Sequence, residues 1–180
     1  MNRYIAFLRG INISGKNKIS MAELKIAFEA LGFAAVKTYL NSGNVLFSSD
    51  ESDMERCKNQ VEGMIEKQFG LSIPVFVIKK ETLADILQNA PDWWGTENKE
   101  IYDNLIFILP PATVSAVFAT LGEPKQGMEQ VQAYQEVIFW SFSRKDYRKT
   151  SWWSKTASSA ITPQLTIRTA NTLRKLVSFS

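Results

Sequence analysis

The sequence predicts an α+β protein that begins with a ferredoxin-like β-α-β-β-α-β unit. Capping boxes at Ser20–Glu23 and Ser52–Glu55 indicate two helix starts, where a hydroxyl and a carboxylate satisfy free backbone N–H groups. Apolar residues at helical spacing follow each box, and Gly32 and Gly70 provide the left-handed residue that ends a helix. Between the helices, the run Asn-Ser-Gly-Asn at 41–44 is typical of a hairpin turn.

The remaining elements of the first half follow from its apolar patterns. The helical stripes consist of Met21, Leu24, Phe28 and Leu31, then of Met54, Cys57, Val61, Met64, Ile65 and Phe69. Apolar runs at 3–8, 36–40, 45–48 and 73–78 predict four strands. Pro74, near the start of the last run, favours an edge strand. These elements define a first subdomain at residues 1–80.

The second half, residues 81–180, predicts a less regular α+β subdomain with a basic C-terminal segment. Three apolar stripes indicate helices: Leu83, Ile86, Leu87 and Ala90; Val114, Val117, Phe118 and Leu121; Leu173, Leu176 and Val177. Pro110 and Pro111 are predicted to open the middle helix, and Gly122 to end it. Strands are predicted at 102–109, 131–134 and 137–142. The order over 102–178 is therefore β-α-β-β-α, without a fourth strand and without a sequence repeat of the first half.

The absence of histidine limits the chemistry available to this chain. Its 180 residues include no His and one cysteine, Cys57. This excludes Ser-His-Asp and Cys-His catalysis, His-ligated and Cys-only metal sites, and an internal disulfide. Because Cys57 lies in an apolar helical stripe, we expect it to pack in the core. We expect no metal and no cofactor, so any chemistry must use Lys, Arg, Asn and carboxylates.

The net charge of +3 is unevenly distributed along the chain. Residues 1–48 carry +4, residues 49–142 carry −8, and residues 143–180 carry +7. Basic ends of this kind can indicate an anionic partner. Alternatively, the basic ends pair with the acidic middle within the fold.

No targeting or membrane segment is visible. The N-terminal apolar run stops at Arg9 and lacks a small-residue cleavage site. No stretch approaches the roughly 20 apolar residues that span a bilayer. We therefore expect a cytoplasmic location and no membrane partner.

The loop after the first strand resembles a phosphate-binding loop without completing one. Residues 10–17 nearly match G-x-x-x-x-G-K-[ST], but Asn17 replaces the hydroxyl that would hold magnesium. The helix is also expected to start near Ser20, too late for the Gly-Lys pair. Nucleotide hydrolysis is therefore disfavoured, which leaves either a basic anion-binding loop or an ordinary solvated loop.

The predicted topology brings this loop to the hairpin turn. The first two strands of the unit run in the same direction, and the first and third are adjacent, so both connections meet at one sheet edge. The residues expected there carry amides, a hydroxyl and cations: Arg9, Asn12, Lys16, Asn17, Lys18, Asn41, Ser42 and Asn44. Such a cluster can bind phosphate or carboxylate. Alternatively, Asn and Gly occupy these positions because turns require them.

Several motifs together resemble a bacterial family filed as domain of unknown function 1697. They are the runs at 4–12, 15–18, 21–24, 39–44, 166–168 and 171–176. The resemblance implies an α+β fold with two subdomains but no established activity, and it adds Arg168 and Asn171 to the candidate ligand-binding residues. The family often carries Asn-Trp where this chain has Thr169-Ala170, so no amide or aromatic contact is expected from those two positions.

The basic C-terminal segment interleaves cations with aromatic residues. Arg144, Lys145, Arg148, Lys149 and Lys155 surround the pair Trp152-Trp153. This pattern is compatible with a single-stranded nucleic acid, whose phosphates meet cations and whose bases stack on rings. The usual burial of Trp favours the alternative, in which the segment folds over the sheet. Recognition of RNA by the sheet face is disfavoured because the strand at 43–48 lacks the paired aromatic residues.

Three functional hypotheses follow. The first is a binding protein for an anionic ligand, a phosphate-bearing small molecule or a single-stranded nucleic acid. The second is an enzyme that stabilises charge on a phosphorylated or acyl substrate with Lys, Arg and Asn. No acid–base pair is evident for it, and Asp103-Asn104 at a strand start is the only acidic position of interest. The third is a structural or oligomerising protein without a ligand.

Overall fold

The computed structural model describes all 180 residues, which form two compact units. Unit 1 consists of Met1–Ala84 together with Phe179–Ser180, and unit 2 consists of Asp85–Ser178. Both contain helices packed on a four-stranded antiparallel sheet, which confirms the predicted α+β class. No helix is both long and apolar enough to cross a membrane.

Unit 1 has the predicted β-α-β-β-α-β order followed by one more helix. Its elements are β1 (Asn2–Leu8), α1 (Met21–Ala30), β2 (Ala34–Tyr39), β3 (Asn44–Ser49), α2 (Met54–Phe69), β4 (Val75–Lys79) and α3 (Lys80–Gln88), the last of which crosses into unit 2. The strand order is β2-β3-β1-β4. Since β1 and β2 both pair antiparallel with β3, they run in the same direction, as expected.

Local capping explains where the two long helices begin and end. The Ser20 hydroxyl accepts a hydrogen bond from the Glu23 N–H at 3.3 Å, which confirms the first predicted cap. The second cap was misassigned: the N-cap of α2 is Asp53, not Ser52, and its carboxylate accepts from the Glu55 N–H at 2.9 Å. Gly70 ends α2 in the left-handed conformation, with φ +66°.

The core of unit 1 lies between one face of the sheet and the helices α1 and α2. Its largest members are aromatic: Tyr4, Phe28, Phe33 and Phe47. Cys57 is fully buried among them, as expected, and burial raises the pKa of its thiol. The thiol is therefore a packing group and not a nucleophile.

Unit 2 repeats the architecture of unit 1. Its elements are β5 (Ile101–Ile108), α4 (Val114–Leu121), β6 (Glu129–Tyr134), β7 (Val137–Ser143), a 3₁₀ turn (Arg144–Lys149), α5 (Trp152–Ala157), a second 3₁₀ turn (Thr162–Gln164), β8 (Leu165–Thr169) and α6 (Ala170–Ser178). The strand order β6-β7-β5-β8 corresponds position by position to that of unit 1. The two units thus share one topology without a recognisable sequence repeat.

Two expectations for the second half were wrong. A fourth strand does exist: β8 pairs antiparallel with β5 at five positions, from Leu165↔Ile108 to Thr169↔Asn104. The prolines do not open α4, because Thr113 is its N-cap, and its hydroxyl accepts from the Ala116 N–H at 3.2 Å. Between β7 and β8 the chain forms α5 and both 3₁₀ turns.

Candidate functional site

The expected sheet edge of unit 1 does bring the loop after β1 to the β2–β3 hairpin. The Leu8 N–H donates to the Gly43 carbonyl at 2.8 Å, and the Asn12 side chain donates to the Asn41 carbonyl at 2.8 Å. The turn itself occupies residues 40–43, since Asn44 already belongs to β3 and is fully buried. The adjacency of these two connections is therefore as predicted from the topology.

The amides at this edge are hydrogen-bonded within the protein. Asn12 also donates to the Ile19 carbonyl at 3.0 Å and accepts from the Ile19 N–H at 2.8 Å. Asn17 donates to the Gly10 carbonyl at 2.9 Å. Asn44 donates to the Tyr39 carbonyl at 2.9 Å and to the Ser42 hydroxyl at 3.0 Å. These amides therefore hold the loop and the turn together and have little capacity left for a ligand.

Lys16 and Lys18 are the exposed cations of this edge, and neither forms an ion pair in the structure. Arg9 is partly buried, and Asn41 and Ser42 are exposed. The loop bends through left-handed backbone conformations at Asn12 (φ 55°), Ser14, Gly15 and Asn17. What remains at the edge is a pair of lysines on a braced, exposed loop.

Replacing Asn12 with Ala is expected to loosen this loop, at a cost of about 2 kcal/mol in unfolding free energy. The variant loses all three side-chain hydrogen bonds and places Ala at a positive φ. Hydrogen exchange at the Ile19 amide measures the change directly, because that N–H loses its acceptor. Asn41→Ala is the matched control, since the Asn41 side chain is exposed. Unchanged Ile19 protection in Asn12→Ala would contradict the bracing role.

Arg168 and Asn171, the candidates from the C-terminal motifs, lie in unit 2 on different elements. Arg168 is on β8, and its guanidinium donates to the Thr166 hydroxyl and the Ile167 carbonyl, both at 3.0 Å. Burial lowers the pKa of Arg168 to about 10, so the group stays charged at neutral pH. Asn171 is exposed in the first turn of α6. Arg168 therefore braces β8, whereas Asn171 is available to a ligand.

Asn171 lines an open cleft of about 590 Å³ within unit 2. We call this the polar cleft; it is lined by Gly95, Glu97, Asn98, Lys99, Ile101, Tyr102, Asp103, Arg144, Thr169, Ala170, Asn171 and Arg174. The lining includes three cations, two carboxylates and the first residues of α6. The N–H groups of a helix's first turn carry partial positive charge, which adds to that of the three cations.

Two of the three cations of the polar cleft, Arg144 and Arg174, are positioned by hydrogen bonds to backbone carbonyls. The Nε of Arg144 donates to the Lys99 carbonyl at 3.0 Å, and its guanidinium stacks on the Tyr102 ring, 4.5 Å from the centroid. One Nη of Arg174 donates to the Gly95 carbonyl. The Lys99 ammonium makes no hydrogen bond or ion pair in the structure. Both Nη atoms of Arg144 are likewise without a protein acceptor, so these donors remain for a ligand.

An apolar groove adjoins the polar cleft. This aromatic groove, of about 150 Å³, is lined by Tyr102, Phe142, Arg144, Tyr147 and Trp153. Trp153 is 39% exposed, whereas Trp152 beside it in sequence is fully buried. The expectation that the Trp residues are buried thus holds for Trp152 but not for Trp153.

A buried carboxylate fixes the segment that carries Trp153. Glu129 at the start of β6 is 6% exposed and accepts four hydrogen bonds. One oxygen accepts from the Trp140 indole at 3.0 Å and the Trp152 N–H at 3.3 Å. The other accepts from the Lys125 N–H at 2.9 Å and from the Ser151 N–H. Glu129 therefore supplies the N-terminal cap of α5 from a distant strand.

No group of three or more His, Cys, Asp or Glu side chains is placed so that it could hold a metal ion. Asp103, the acidic position singled out in the sequence, lies in the polar cleft and accepts a hydrogen bond from the Ser141 hydroxyl. Its strand neighbour Asn104 is buried. The lining of the polar cleft therefore combines three cations with two carboxylates, one of which is engaged by a hydroxyl.

Residues 1–139 match the model of a family described as "Protein of unknown function (DUF1697)". The chain belongs to this family. A solved structure, that of the conserved bacterial protein SP0830 from Streptococcus pneumoniae, is similar with a TM-score of 0.85 and 29% sequence identity. The similarity covers 98% of this chain and 97% of that one. No curated protein matches the sequence.

Only some of the residues that line the polar cleft lie within the part of the chain that matches the DUF1697 model. Lys99 and Tyr102 lie within the matched residues, whereas Arg144, Asn171 and Arg174 follow them. Sequence reasoning had missed Lys99 and Arg174 as site residues. Lys99 lies in an acidic stretch and Arg174 on a helix, and only the pairing of β5 with β7 and β8 brings them to one cleft.

Proposed function

We propose that this DUF1697 protein binds a phosphate-bearing anion in the polar cleft of unit 2. The observation that carries the proposal is the convergence of Lys99, Arg144 and Arg174 on one cleft of about 590 Å³. The lining sets three cations, from three separate segments of the chain, against the two carboxylates of Glu97 and Asp103, and the remaining positive charge attracts an anion. Phosphate oxygens match both guanidinium and ammonium donors.

The two arginine donors are held in place before a ligand arrives. The stacking of Arg144 on Tyr102 and its bond to the Lys99 carbonyl restrict its guanidinium while leaving both Nη atoms unused. Arg174 is restrained in the same way by the Gly95 carbonyl. A ligand therefore meets donors that have already lost much of their conformational freedom, which reduces the entropic cost of binding.

Two carboxylates oppose the anion and moderate its affinity. Glu97 is exposed and has no hydrogen-bonding partner in the structure, whereas Asp103 is engaged by Ser141. The cleft keeps an excess of one positive charge, and the first turn of α6 adds partial positive charge. We attribute to Glu97 a role in limiting affinity and selecting the ligand's charge.

The polar cleft is a better candidate than the sheet edge of unit 1. At that edge the amides of Asn12, Asn17 and Asn44 already make hydrogen bonds within the protein, and Lys16 and Lys18 project from an exposed loop. An anion there would meet two ammonium groups on long, flexible side chains. We retain this edge as a secondary, weaker anion-binding surface.

Titration with inorganic pyrophosphate, followed by calorimetry at two salt concentrations, tests the proposal. We expect salt-sensitive binding that Lys99→Ala weakens about five- to ten-fold, because one charged donor is lost. Lys145→Ala removes the same charge from the neighbouring segment, outside the polar cleft, and is expected to bind almost as tightly as the wild type. Glu97→Gln is expected to bind more tightly.

Two results would reject the proposal. One is the absence of pyrophosphate binding at millimolar concentration and low salt. The other is an equal loss of affinity in Lys99→Ala and Lys145→Ala, which would indicate diffuse attraction to a basic surface. Lys16→Ala, at the sheet edge of unit 1, shows which of the two surfaces the anion occupies.

A further inference from the structure

We infer that the anion bound in the polar cleft is the phosphate of a single-stranded nucleic acid, whose base stacks in the aromatic groove beside it. The inference rests on the proposed function and assigns its ligand class. It is carried by the continuity of the two sites: Tyr102 and Arg144 line both the polar cleft and the aromatic groove. A ligand that fills both must join a flat apolar part to an anionic part.

The aromatic groove has the size and lining that suit one planar ring. Its volume is about 150 Å³, and four of its five lining residues are aromatic. A nucleic-acid base stacks its faces on aromatic rings and on guanidinium planes. An aliphatic side chain of a protein partner has no such face, so its binding to this lining would be weaker. Arg144 presents a guanidinium plane at the junction of the groove and the cleft.

The rings of the groove are fixed by mutual packing. Trp153 makes edge-to-face contacts with Phe142, at 5.7 Å between centroids, and with Tyr147, at 4.8 Å. The 3₁₀ turn that carries Tyr147 is joined to α5 by the Thr150 hydroxyl, which accepts from the Trp153 N–H and donates to the Tyr147 carbonyl. A large, exposed Trp held so rigidly contributes stacking area at a small entropic cost.

The charge around the groove suits a strand longer than one nucleotide. Lys145 and Arg148 are exposed beside it, and the Arg148 guanidinium lies 5.4 Å from the Tyr147 ring centroid. The whole segment 143–180 carries +7. A single strand is favoured over a duplex because a base can enter the groove only when it is unpaired and unstacked.

The binding site differs from that of sheet-face RNA-binding modules. The groove lies where the ends of β5 and β7 meet the 3₁₀ turn and α5, and not across the strand centres. Tyr102 is the second residue of β5, and Phe142 is its partner on β7. Tyr102, at the start of β5, therefore lines both the polar cleft and the aromatic groove.

The test compares two fluorescent ten-nucleotide probes of equal charge by polarisation, with the full chain at low and moderate salt. One probe is oligouridine, which does not pair with itself; the other is an abasic strand of the same length. We expect oligouridine to bind at least about five-fold more tightly than the abasic strand, from the stacking of one base. Oligothymidine is expected to behave like oligouridine, and a duplex of equal length to bind more weakly.

Variants assign the preference to the groove. Trp153→Ala is expected to remove most of the preference for oligouridine over the abasic strand, and Trp153→Phe to retain part of it. Thermal unfolding of each variant shows that the fold persists, and Trp153→Phe keeps the test valid if Trp153→Ala is unstable. Lys145→Ala is expected to weaken both probes equally and to keep the preference.

The outcomes separate the inference from the function on which it rests. Equal binding of the two probes, together with pyrophosphate binding that depends on Lys99, would overturn the nucleic-acid inference and leave the anion site standing. Loss of pyrophosphate binding and of both probes would overturn both. A preference for oligouridine that survives in both Trp153 variants would show that the base lies elsewhere, and it would also overturn the inference.

Discussion

Replacing Glu129 with Gln is expected to lower the unfolding free energy by about 3 kcal/mol. Both carboxylate oxygens accept hydrogen bonds from N–H groups, four in all, of which those from Trp140 and Trp152 are buried. Gln has nearly the same shape, but it must point an NH₂ group at one pair of these donors. Two donors then lose their acceptor and the site loses the negative charge at the start of α5, so the cost greatly exceeds that of one neutral hydrogen bond.

Chemical denaturation with matched variants measures this effect. Glu136→Gln makes the same chemical change in the turn of the β6–β7 hairpin, where the side chain is exposed, and is expected to change stability by less than about 0.5 kcal/mol. A difference below about 1 kcal/mol between the two variants would show that the buried carboxylate is not needed to hold α5. Because α5 carries Trp153, we also expect Glu129→Gln to weaken stacking in the aromatic groove.

Replacing Gly43 with Ala is expected to cost about 2–4 kcal/mol, from two separate causes. Gly43 has φ +89°, a backbone conformation that Ala adopts with strain. A Cβ at this position would also lie 2.8 Å from the Leu8 Cβ and 3.0 Å from the Ile11 Cδ1. The Leu8 Cβ is attached directly to the backbone of β1, so it cannot move aside as a side-chain tip does.

Gly10→Ala isolates the conformational part of this cost. Gly10 also has a positive φ, +73°, but no atom lies within 4 Å of the position that a Cβ would take there. We expect Gly10→Ala to cost about 1 kcal/mol and Gly43→Ala clearly more. Equal melting temperatures for the two variants would contradict the close approach of the hairpin to β1.

The first half of the fold was predictable because its signals are local. The hydroxyl of Ser20, the glycine after α2 and the turn sequence before β3 each specify an element without distant partners. The fourth strand of unit 2 was not predictable in this way. The sequence Leu-Thr-Ile-Arg-Thr is short, and three of its five residues are polar, so β8 becomes a strand only because it pairs with β5 far away in sequence.

The candidate site was predictable only in part. Topology correctly placed the loop after β1 beside the β2–β3 hairpin, but the sequence could not show that Asn12 and Asn44 use their amides inside the protein. The basic and aromatic segment was visible as a pattern, whereas the exposure of Trp153 follows from tertiary packing. Lys99 and Arg174 could not be assigned because their proximity depends on strand pairing.

Phe179 and Ser180 belong to unit 1, so unit 2 is an insertion within unit 1. Phe179 packs edge-on against Tyr39 and lies 3.9 Å from the Lys37 ammonium, and its carbonyl accepts from Lys80. During synthesis, unit 1 can form its sheet early, but the contacts of Phe179 form only after this residue has left the ribosome. Because α6 of unit 2 ends at Ser178, directly before Phe179, unit 1 is completed together with unit 2, although most of unit 1 is made first.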